Sequence, residues 1–227
     1  MFHQPAHIAA THERDGLALE ASALRVLGER TTPGTEKRAI VRQLKRLPDT
    51  AVLVMEDETI LRLFPVLRRA WSLSGVQAQV PITGRNAKRV LFATINLRTG
   101  HRISVRGNNM RQENFHRLLR EVRRRYGTRS VWMLLDEAPC HIAAKSEAFA
   151  AQLDIHFVWL PKQCSELNSM DQLWKELKGT ISANHQYVSI EEHVADAEAW
   201  LHNLSNKEAL RKAGVLSKNF WLKAIVQ

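Results

Sequence analysis

The chain has 227 residues, 44% of them hydrophobic, which is enough for one domain with a sizeable core. Its apolar runs are short and interrupted by charge, which excludes a membrane span of roughly 20 apolar residues, and its N-terminus lacks the pattern of a signal peptide. With net charge +10, two cysteines and no CxxC pair, it is expected to be a reduced cytosolic protein with a polyanionic partner.

Two helices are predicted ahead of the first strand. Gly16 to Glu29 places leucine and alanine at helical spacing, and Glu36 to Leu47 forms a second, basic helix that stops at Pro48. We therefore expect a short helical arm or linker over residues 1–48, followed by one larger domain over residues 49–227.

The rest of the chain alternates strand and helix patterns. Apolar runs predict five strands, at Ala51–Met55, Arg89–Leu97, His101–Val105, Val131–Leu135 and Ile155–Leu160. Helices are predicted over residues 112–126, from Pro139 to about Leu153, from Asn168, and from a Ser189 capping box to about Leu204. A hairpin-like group followed by strands and helices in turn indicates an α/β fold with a mixed sheet flanked by helices.

The positive charge is concentrated in one region. Ten arginines lie between Arg98 and Arg129, opposed only by Glu113 and Glu121, which gives this stretch of 32 residues a net charge of +8. Guanidinium groups match phosphate geometry, so the region predicts nucleic-acid binding, although a solvated helix face is the simpler interpretation. The arginines expected to contact DNA are Arg106, Arg111, Arg117, Arg120, Arg124 and Arg125.

Two of the apolar strands run directly into acidic residues. One ends in Glu56-Asp57-Glu58 and the other in Asp136-Glu137. Carboxylates held together at the edge of a buried sheet favour a hard divalent cation with oxygen ligands. A nucleotide-hydrolysing ATPase presents its magnesium ligand in the same way, but such an enzyme also needs a GxxxxGK[ST] loop, which the sequence lacks.

A third acid, Asp171, lies in the first turn of the helix that begins at Asn168. Taken alone, Asn168 and Asp171 are best interpreted as a capping box, with an apolar stripe through Met170, Leu173 and Trp174 behind them. The residues by themselves therefore leave two interpretations of Asp171 open, a helix cap and a metal ligand.

Three motifs occur in a fixed order. The order is Asp57-Glu-Thr after a strand, then Leu-Asp136-x-Ala-Pro-x-His141, then Leu-Pro-x4-Glu-Leu-Asn-x2-Asp171-x2-Trp-x3-Lys178, with 34 residues between Asp136 and Asp171. The sequence from about residue 47 to residue 222 resembles the bacterial insertion-sequence transposases related to mariner elements, which belong to the DDE superfamily and have an RNase-H-like fold. The final acid is Asp rather than Glu, a variant found among mariner relatives.

The resemblance implies a reaction as well as a fold. It implies that Asp57, Asp136 and Asp171 bind two Mg²⁺ or Mn²⁺ ions, one activating water or a DNA 3′-OH and the other stabilising the leaving 3′ oxygen. The expected activity is cleavage of DNA at transposon ends, followed by strand transfer into target DNA. The implied partners are transposon-end and target DNA, with a homodimer on DNA by analogy and a bacterial, nucleoid-associated location.

Secondary site residues follow from the same motifs. His141 is expected to reach the scissile phosphate, to orient a metal ligand, or to lie exposed in the first turn of a helix. Glu58 and Glu137 flank the proposed ligands, and Lys178, about two helical turns beyond Asp171, could contact a DNA phosphate. Trp71 and Trp174 are expected in the core rather than as base-stacking platforms.

The sequence departs from the family pattern in several places. Glu137 stands where Asn is usual, Ser165 and Ser169 stand where prolines are common, and only 56 residues precede Asp57. The 1–48 arm is therefore expected to be a linker or a truncated DNA-binding remnant. Two alternatives to a transposase remain, an RNase-H-like nuclease acting on RNA–DNA hybrids or Holliday junctions, and a catalytically inactive DNA-binding remnant.

Overall fold

The fold is built on one mixed sheet of five strands, described by a computed structural model over residues 32–226. The strand order is β3-β2-β1-β4-β5. The strands are β1 (Val52–Arg62), β2 (Lys88–Asn96), β3 (Arg102–Gly107), β4 (Val131–Leu135) and β5 (Ile155–Trp159). The helices are α1 (Pro33–Leu44), α2 (Gln112–Tyr126), α3 (Ala144–Gln152), α4 (Ser169–Leu177), α5 (Ile190–Asn203), α6 (Asn206–Lys212) and α7 (Lys223–Val226).

The central strand, β1, belongs to both halves of the sheet. It pairs in parallel with β4 only as far as Met55 opposite Leu134, whereas its antiparallel pairing with β2 continues to Arg62. The predicted strand Ala51–Met55 is therefore too short, because β2 supplies backbone hydrogen-bond partners to the acidic residues that were expected to follow the strand. Since β1, β4 and β5 are parallel, their carboxyl ends lie at one edge of the sheet.

Alternating side chains of the sheet build two separate cores. Leu53 and Met55 of β1 face the layer of α4 and α5, whereas Val52 and Val54 face the layer of α2 and α3. Each fully buried side chain of this size stabilises the fold by roughly 1.5–3 kcal/mol. The strict alternation matters for the site, because it sends Asp57 to the α4 side and its two acidic neighbours to the other.

Most predicted elements are confirmed, with small shifts at their ends. The helix over residues 112–126 is present, its inner face buried as expected. Asn168 and Ser189 are the N-caps of α4 and α5, and Ser189 accepts a hydrogen bond from the Glu192 N–H. The helix predicted to begin at Pro139 is wrong at its start, since α3 begins at Ala144 and the preceding residues form a tight turn.

The N-terminal arm is described only in part. The helix predicted over Gly16 to Glu29 lies outside residues 32–226, and the second predicted helix is α1, shifted towards the N-terminus. Ile40 and Leu44 of α1 are buried in the core that α4 and α5 share. The proposed domain division at residue 48 stays a prediction.

Residues 63–87 connect β1 to β2 and contain little regular structure. Trp71 lies here with its side chain fully exposed, so its expected place in the core is wrong, whereas Trp174 is buried as expected. The apolar spacing around Trp174 comes from a helix, and no such pattern supports Trp71. No helix in the described part of the chain is long and apolar enough to span a membrane.

Candidate active site

Asp57 and Asp136 come together at the carboxyl edge of the sheet. Asp136 directly follows β4, and Asp57 lies two residues beyond Met55, whose partner in β4 is Leu134. The same spacing from that pair brings both aspartates to the same level of the sheet. The sequence-based prediction that the two strands deliver their acids to one edge is confirmed, although Asp57 lies within its strand rather than at its end.

The start of α4 is fixed against the sheet beside Asp57. The Asn168 side-chain amide donates to the Glu56 carbonyl oxygen at 2.9 Å, and the Ser169 N–H lies 2.8 Å from the Met55 sulfur. The Asn168 side-chain oxygen also accepts from the Met170 N–H at 3.0 Å, which caps the helix. One asparagine therefore begins α4 and ties it to β1, and this holds Asp171, in the first turn, over the sheet edge.

The three aspartates interact electrostatically. Burial, together with the nearby charges of Glu58, Asp136 and Asp171, raises the pKa of Asp57 to about 8. The Asp136 side chain is 58% exposed and that of Asp171 is 30% exposed, so both open towards solvent. Like charges gathered at an open sheet edge form a set of oxygen donors suited to a hard divalent cation.

Two lysines neighbour this group. Lys175 Nζ lies 2.8 Å from Asp171 Oδ2, one helical turn away. Lys178 is half-buried, which lowers its pKa, while the charges of Asp57 and Asp171 act in the opposite direction. Lys178 also begins a short π-helical segment that ends at Ser182, a distortion often found at functional sites.

The predicted capping box of Asn168 and Asp171 is not formed. The Asp171 carboxylate pairs with Lys175, and the Asn168 side chain accepts from Met170 rather than from residue 171. The Asn168 amide is instead engaged with the Glu56 carbonyl of β1. Asn168 therefore caps α4 without a reciprocal bond from Asp171, and the interpretation of Asp171 as a metal ligand stays a prediction.

His141 lies beneath Asp136 and is fully buried. Its Nδ1 is 3.0 Å from Asp136 Oδ1, and its Nε2 is 3.2 Å from Glu56 Oε2 and 3.5 Å from Glu58 Oε2. Burial by itself would lower the pKa of His141, but Glu56, Asp136, Cys140 and Glu58 outweigh it and raise the pKa to about 12. The prediction that His141 is exposed to water is wrong. The alternative prediction, that His141 contacts a proposed metal ligand, matches the structure.

Comparison with known proteins places the chain in a family. The family model described as DDE superfamily endonuclease matches residues 52–193. The chain belongs to this family. An insertion element IS630 uncharacterized 39 kDa protein from Shigella sonnei is 26% identical over 137 residues, which are 60% of this chain and 40% of that protein. The chain thus spans less than half of this curated relative.

Solved structures of Mos1 transposase share the fold. The Mos1 paired-end complex with left transposon end superposes with a TM-score of 0.63 at 15% identity, covering 91% of this chain and 66% of that one. The catalytic domain of Mos1 mariner transposase gives 0.58 at 16% identity, covering 85% and 90%. The expected RNase-H-like sheet flanked by helices is confirmed, as is the resemblance to an insertion-sequence transposase.

Glu56 is the residue of this acidic cluster that the sequence analysis missed. It is fully buried in β1, and burial raises its pKa well above the usual value. The signal was present in the order Glu56-Asp57-Glu58, because strand alternation sends the two glutamates to the face opposite Asp57. Glu137, by contrast, forms a surface pair with Lys162 at 3.2 Å.

The arginine-rich region divides between the two edges of the sheet. Gly107 at the end of β3 and Ile60 of β1 both pair with Val90 of β2, so they lie at the same level of the sheet. The next helix along the chain, α2, therefore starts at the edge that carries the three aspartates. At its other end, Arg129 donates to the Thr50 carbonyl oxygen ahead of β1. All six arginines expected to contact DNA are exposed. Only Arg106 and Arg111 lie at the aspartate edge. Of the others, Arg117 and Arg120 lie along α2, and Arg124 and Arg125 lie at its far end.

Other arginines of this region have structural partners. Arg98 donates to the carbonyl oxygens of Asp49 and Ala51, and Arg123 donates to those of Arg129 and Asp154. Arg102 is buried and donates to backbone carbonyls at the end of α5. Much of the +8 charge therefore satisfies the backbone of the fold, which a charge count along the sequence does not show.

Proposed function

We propose that the chain is the catalytic domain of an insertion-sequence transposase that cleaves DNA at transposon ends and joins the cut end to target DNA. The observation that carries the proposal is the convergence of Asp57, Asp136 and Asp171 at one sheet edge, with α4 fixed there by Asn168. Family membership supports DNA as the substrate, and Mos1 structures include a paired-end complex and a strand transfer complex. A homodimer on DNA belongs to the same proposal.

Divalent ions fit the residues of this edge. The donors are three carboxylates, the ligands that Mg²⁺ and Mn²⁺ prefer, and Mos1 paired-end complexes are described with each of these metals. Asp57, Asp136 and Asp171 would hold two ions. When bound, such ions supply charge neutralisation to both the attacking and the leaving oxygen of a phosphodiester.

The chain's own side chains would orient the DNA. Lys178, within electrostatic reach of Asp57 and Asp171, would contact a phosphate next to the scissile bond. Lys175 pairs with Asp171 and would contact the DNA backbone instead once a metal ion is bound by that carboxylate. Arg106 and Arg111 extend the basic surface outward from the same edge, which gives the duplex a path towards the carboxylates.

The activity is tested by nicking of the element's own terminal DNA. The wild-type chain is expected to nick this DNA with Mg²⁺ or Mn²⁺ and to be inactive in EDTA, and Asp136→Ala is expected to abolish nicking. Asp49→Ala, at an exposed site near the opposite edge, is the matched control and should keep full activity. Nicking by Asp136→Ala would contradict the site assignment. Preference for an RNA–DNA hybrid or a Holliday junction would favour the alternative nuclease.

The path of the DNA is tested by the salt dependence of binding. Arg111→Ala is expected to weaken duplex binding and to reduce the slope of log K against log [salt] by about 0.9, the value for one phosphate contact. Arg124→Ala removes an equal charge from the far end of α2, where Glu121 already pairs with it, and should leave the slope unchanged. Equal effects of the two substitutions would show that α2 binds DNA along its whole length.

A further inference from the structure

A buried group of charged side chains lies on the face of β1 opposite to Asp57. Glu56, Glu58 and His141 form it, with Cys140 at the side, its sulfur 3.9 Å from Glu58 Oε1. The Phe115 ring packs against the imidazole with 4.5 Å between centroids, which closes the group from water. The group does not face the proposed metal edge, yet His141 connects it to Asp136.

The imidazole of His141 connects two carboxyl groups. Both ring nitrogens face carboxyl oxygens, Nδ1 that of Asp136 and Nε2 that of Glu56. Nδ1 is within hydrogen-bond distance of the Asp136 carboxylate, whereas Nε2 lies 3.2 Å from Glu56 Oε2 without forming a hydrogen bond to it. The imidazole therefore lies between Glu56 and Asp136 and contacts both side chains.

Glu56 depends on that imidazole. Neither of its side-chain oxygens has a hydrogen-bond partner within residues 32–226, and its only nearby cation is His141, 3.2 Å away. A carboxylate buried without compensation is costly, so Glu56 and His141 hold one another in place. Glu58 Oε2, at 3.5 Å from the same nitrogen, reinforces the arrangement.

The two oxygens of Asp136 differ as a result. Oδ1 lies 3.0 Å from His141 Nδ1 and accepts from the Ala138 N–H at 3.0 Å. Oδ2 has no protein donor in the described part of the chain, on a side chain that is 58% exposed. The hydrogen bonds to Oδ1 fix the plane of the carboxylate and leave Oδ2 available.

We infer that Glu56 is a positioning residue that acts through His141 to orient the Asp136 carboxylate, so that one oxygen is engaged and the other is presented to a divalent cation. The inference rests on the proposed function, which makes Asp136 a metal ligand. It gives His141 a role in orienting a ligand rather than in touching DNA, and it assigns a function to a glutamate that lies outside the three acids of the motif.

The test is a double-mutant cycle read by Mn²⁺ binding to the full chain, followed by electron paramagnetic resonance. Glu56→Gln is expected to weaken Mn²⁺ binding about tenfold, the usual effect of losing a partner of a metal ligand. His141→Gln should weaken it at least as much, and the double variant should match His141→Gln alone, because Glu56 acts only through the histidine. In the nicking assay, kcat should fall while KM for DNA stays constant.

Several outcomes would overturn the inference. One is additive effects of the two substitutions; another is an equal loss in Thr94→Val, which alters a fully buried side chain directly opposite Glu56 in the sheet. If Glu56→Gln does not fold, Glu58→Gln runs the same cycle on the second carboxylate and should show a smaller, coupled loss.

The same experiment separates the inference from the function on which it rests. If Asp136→Ala removes Mn²⁺ binding but Glu56→Gln leaves it unchanged, only the positioning role fails. If the wild-type chain binds no Mn²⁺, or Asp136→Ala binds it normally, the proposed function fails.

The ligand atoms of Glu58, Cys140 and His141 also lie within 4.8 Å of one another. One equivalent of zinc in the purified chain, lost in His141→Gln and in Cys140→Ser, would make His141 a metal ligand instead of a link between Glu56 and Asp136 and overturn the inference.

Discussion

Replacing Asp57 with Asn is expected to lower the rate of metal-dependent nicking by at least about a thousandfold. The same substitution is expected to stabilise the metal-free fold. A thousandfold loss corresponds to about 4 kcal/mol of transition-state stabilisation, within the range for a lost metal ligand. The gain in stability arises because Asp57 is largely buried beside Glu58, Asp136 and Asp171, whose charges oppose its own. The clustered carboxylates thus favour a cation, and they lower the stability of the metal-free fold.

The stabilisation should depend on pH in a defined direction. The pKa of Asp57 is about 8 in the folded chain and near its usual value of 3.8 when unfolded. A raised pKa makes the folded state lose stability as pH rises from about 4 to about 8, because the unfolded chain releases the proton first. Asn does not titrate, so the difference in melting temperature between variant and wild type in EDTA should be smallest near pH 4 and largest near pH 8.

Asp49→Asn serves as the control for this prediction. It removes the same carboxylate from an exposed position close to the start of β1. We expect no change in nicking and less than about 0.5 kcal/mol in stability. A melting temperature for Asp57→Asn that falls at pH 8 would show that Asp57 stabilises the metal-free fold, contrary to the electrostatic reasoning.

Features that depend on neighbouring residues could be predicted from the sequence. The helix over residues 112–126 is predicted to its last residue because its apolar positions repeat with helical spacing. Asp57 and Asp136 are predicted at one edge because parallel strands carry their ends to the same side. Asn168 is identified as a cap from its place before an apolar stripe.

Features that depend on tertiary contacts were missed or assigned wrongly. Glu56 reads as one of three adjacent acids, and only the fold shows that it faces His141 across 3.2 Å. The arginine-rich region reads as one surface, although the direction of α2 divides it between two edges. The turn ahead of α3 is shaped by the contact between His141 and Asp136, which overrides the preference of Pro139 for a first helical turn.

The division of the arginines leads to a second large effect, on stability rather than on activity. Arg102→Ala is expected to lower the free energy of unfolding by about 3–5 kcal/mol, measured by chemical denaturation. The Arg102 guanidinium is buried and donates to the carbonyl oxygens of Gly100, Leu201 and His202 at 2.6, 3.1 and 3.2 Å. It also donates to the Leu204 carbonyl and, at 2.8 Å, to the Asn206 side-chain oxygen. Alanine would leave these acceptors buried without a donor.

The matched control is Arg106→Ala, four residues further on in β3. Arg106 is exposed and pairs with Glu198 at the surface, an interaction worth at most about 1 kcal/mol. Arg102→Lys keeps the charge but lacks the planar fork that reaches several carbonyls, so it should recover less than half of the loss. A loss below about 1 kcal/mol in Arg102→Ala, or its full rescue by lysine, would contradict the structural role. Because Arg102 joins β3 to the end of α5 through its hydrogen bonds, its contribution to the basic region is to the fold rather than to DNA binding.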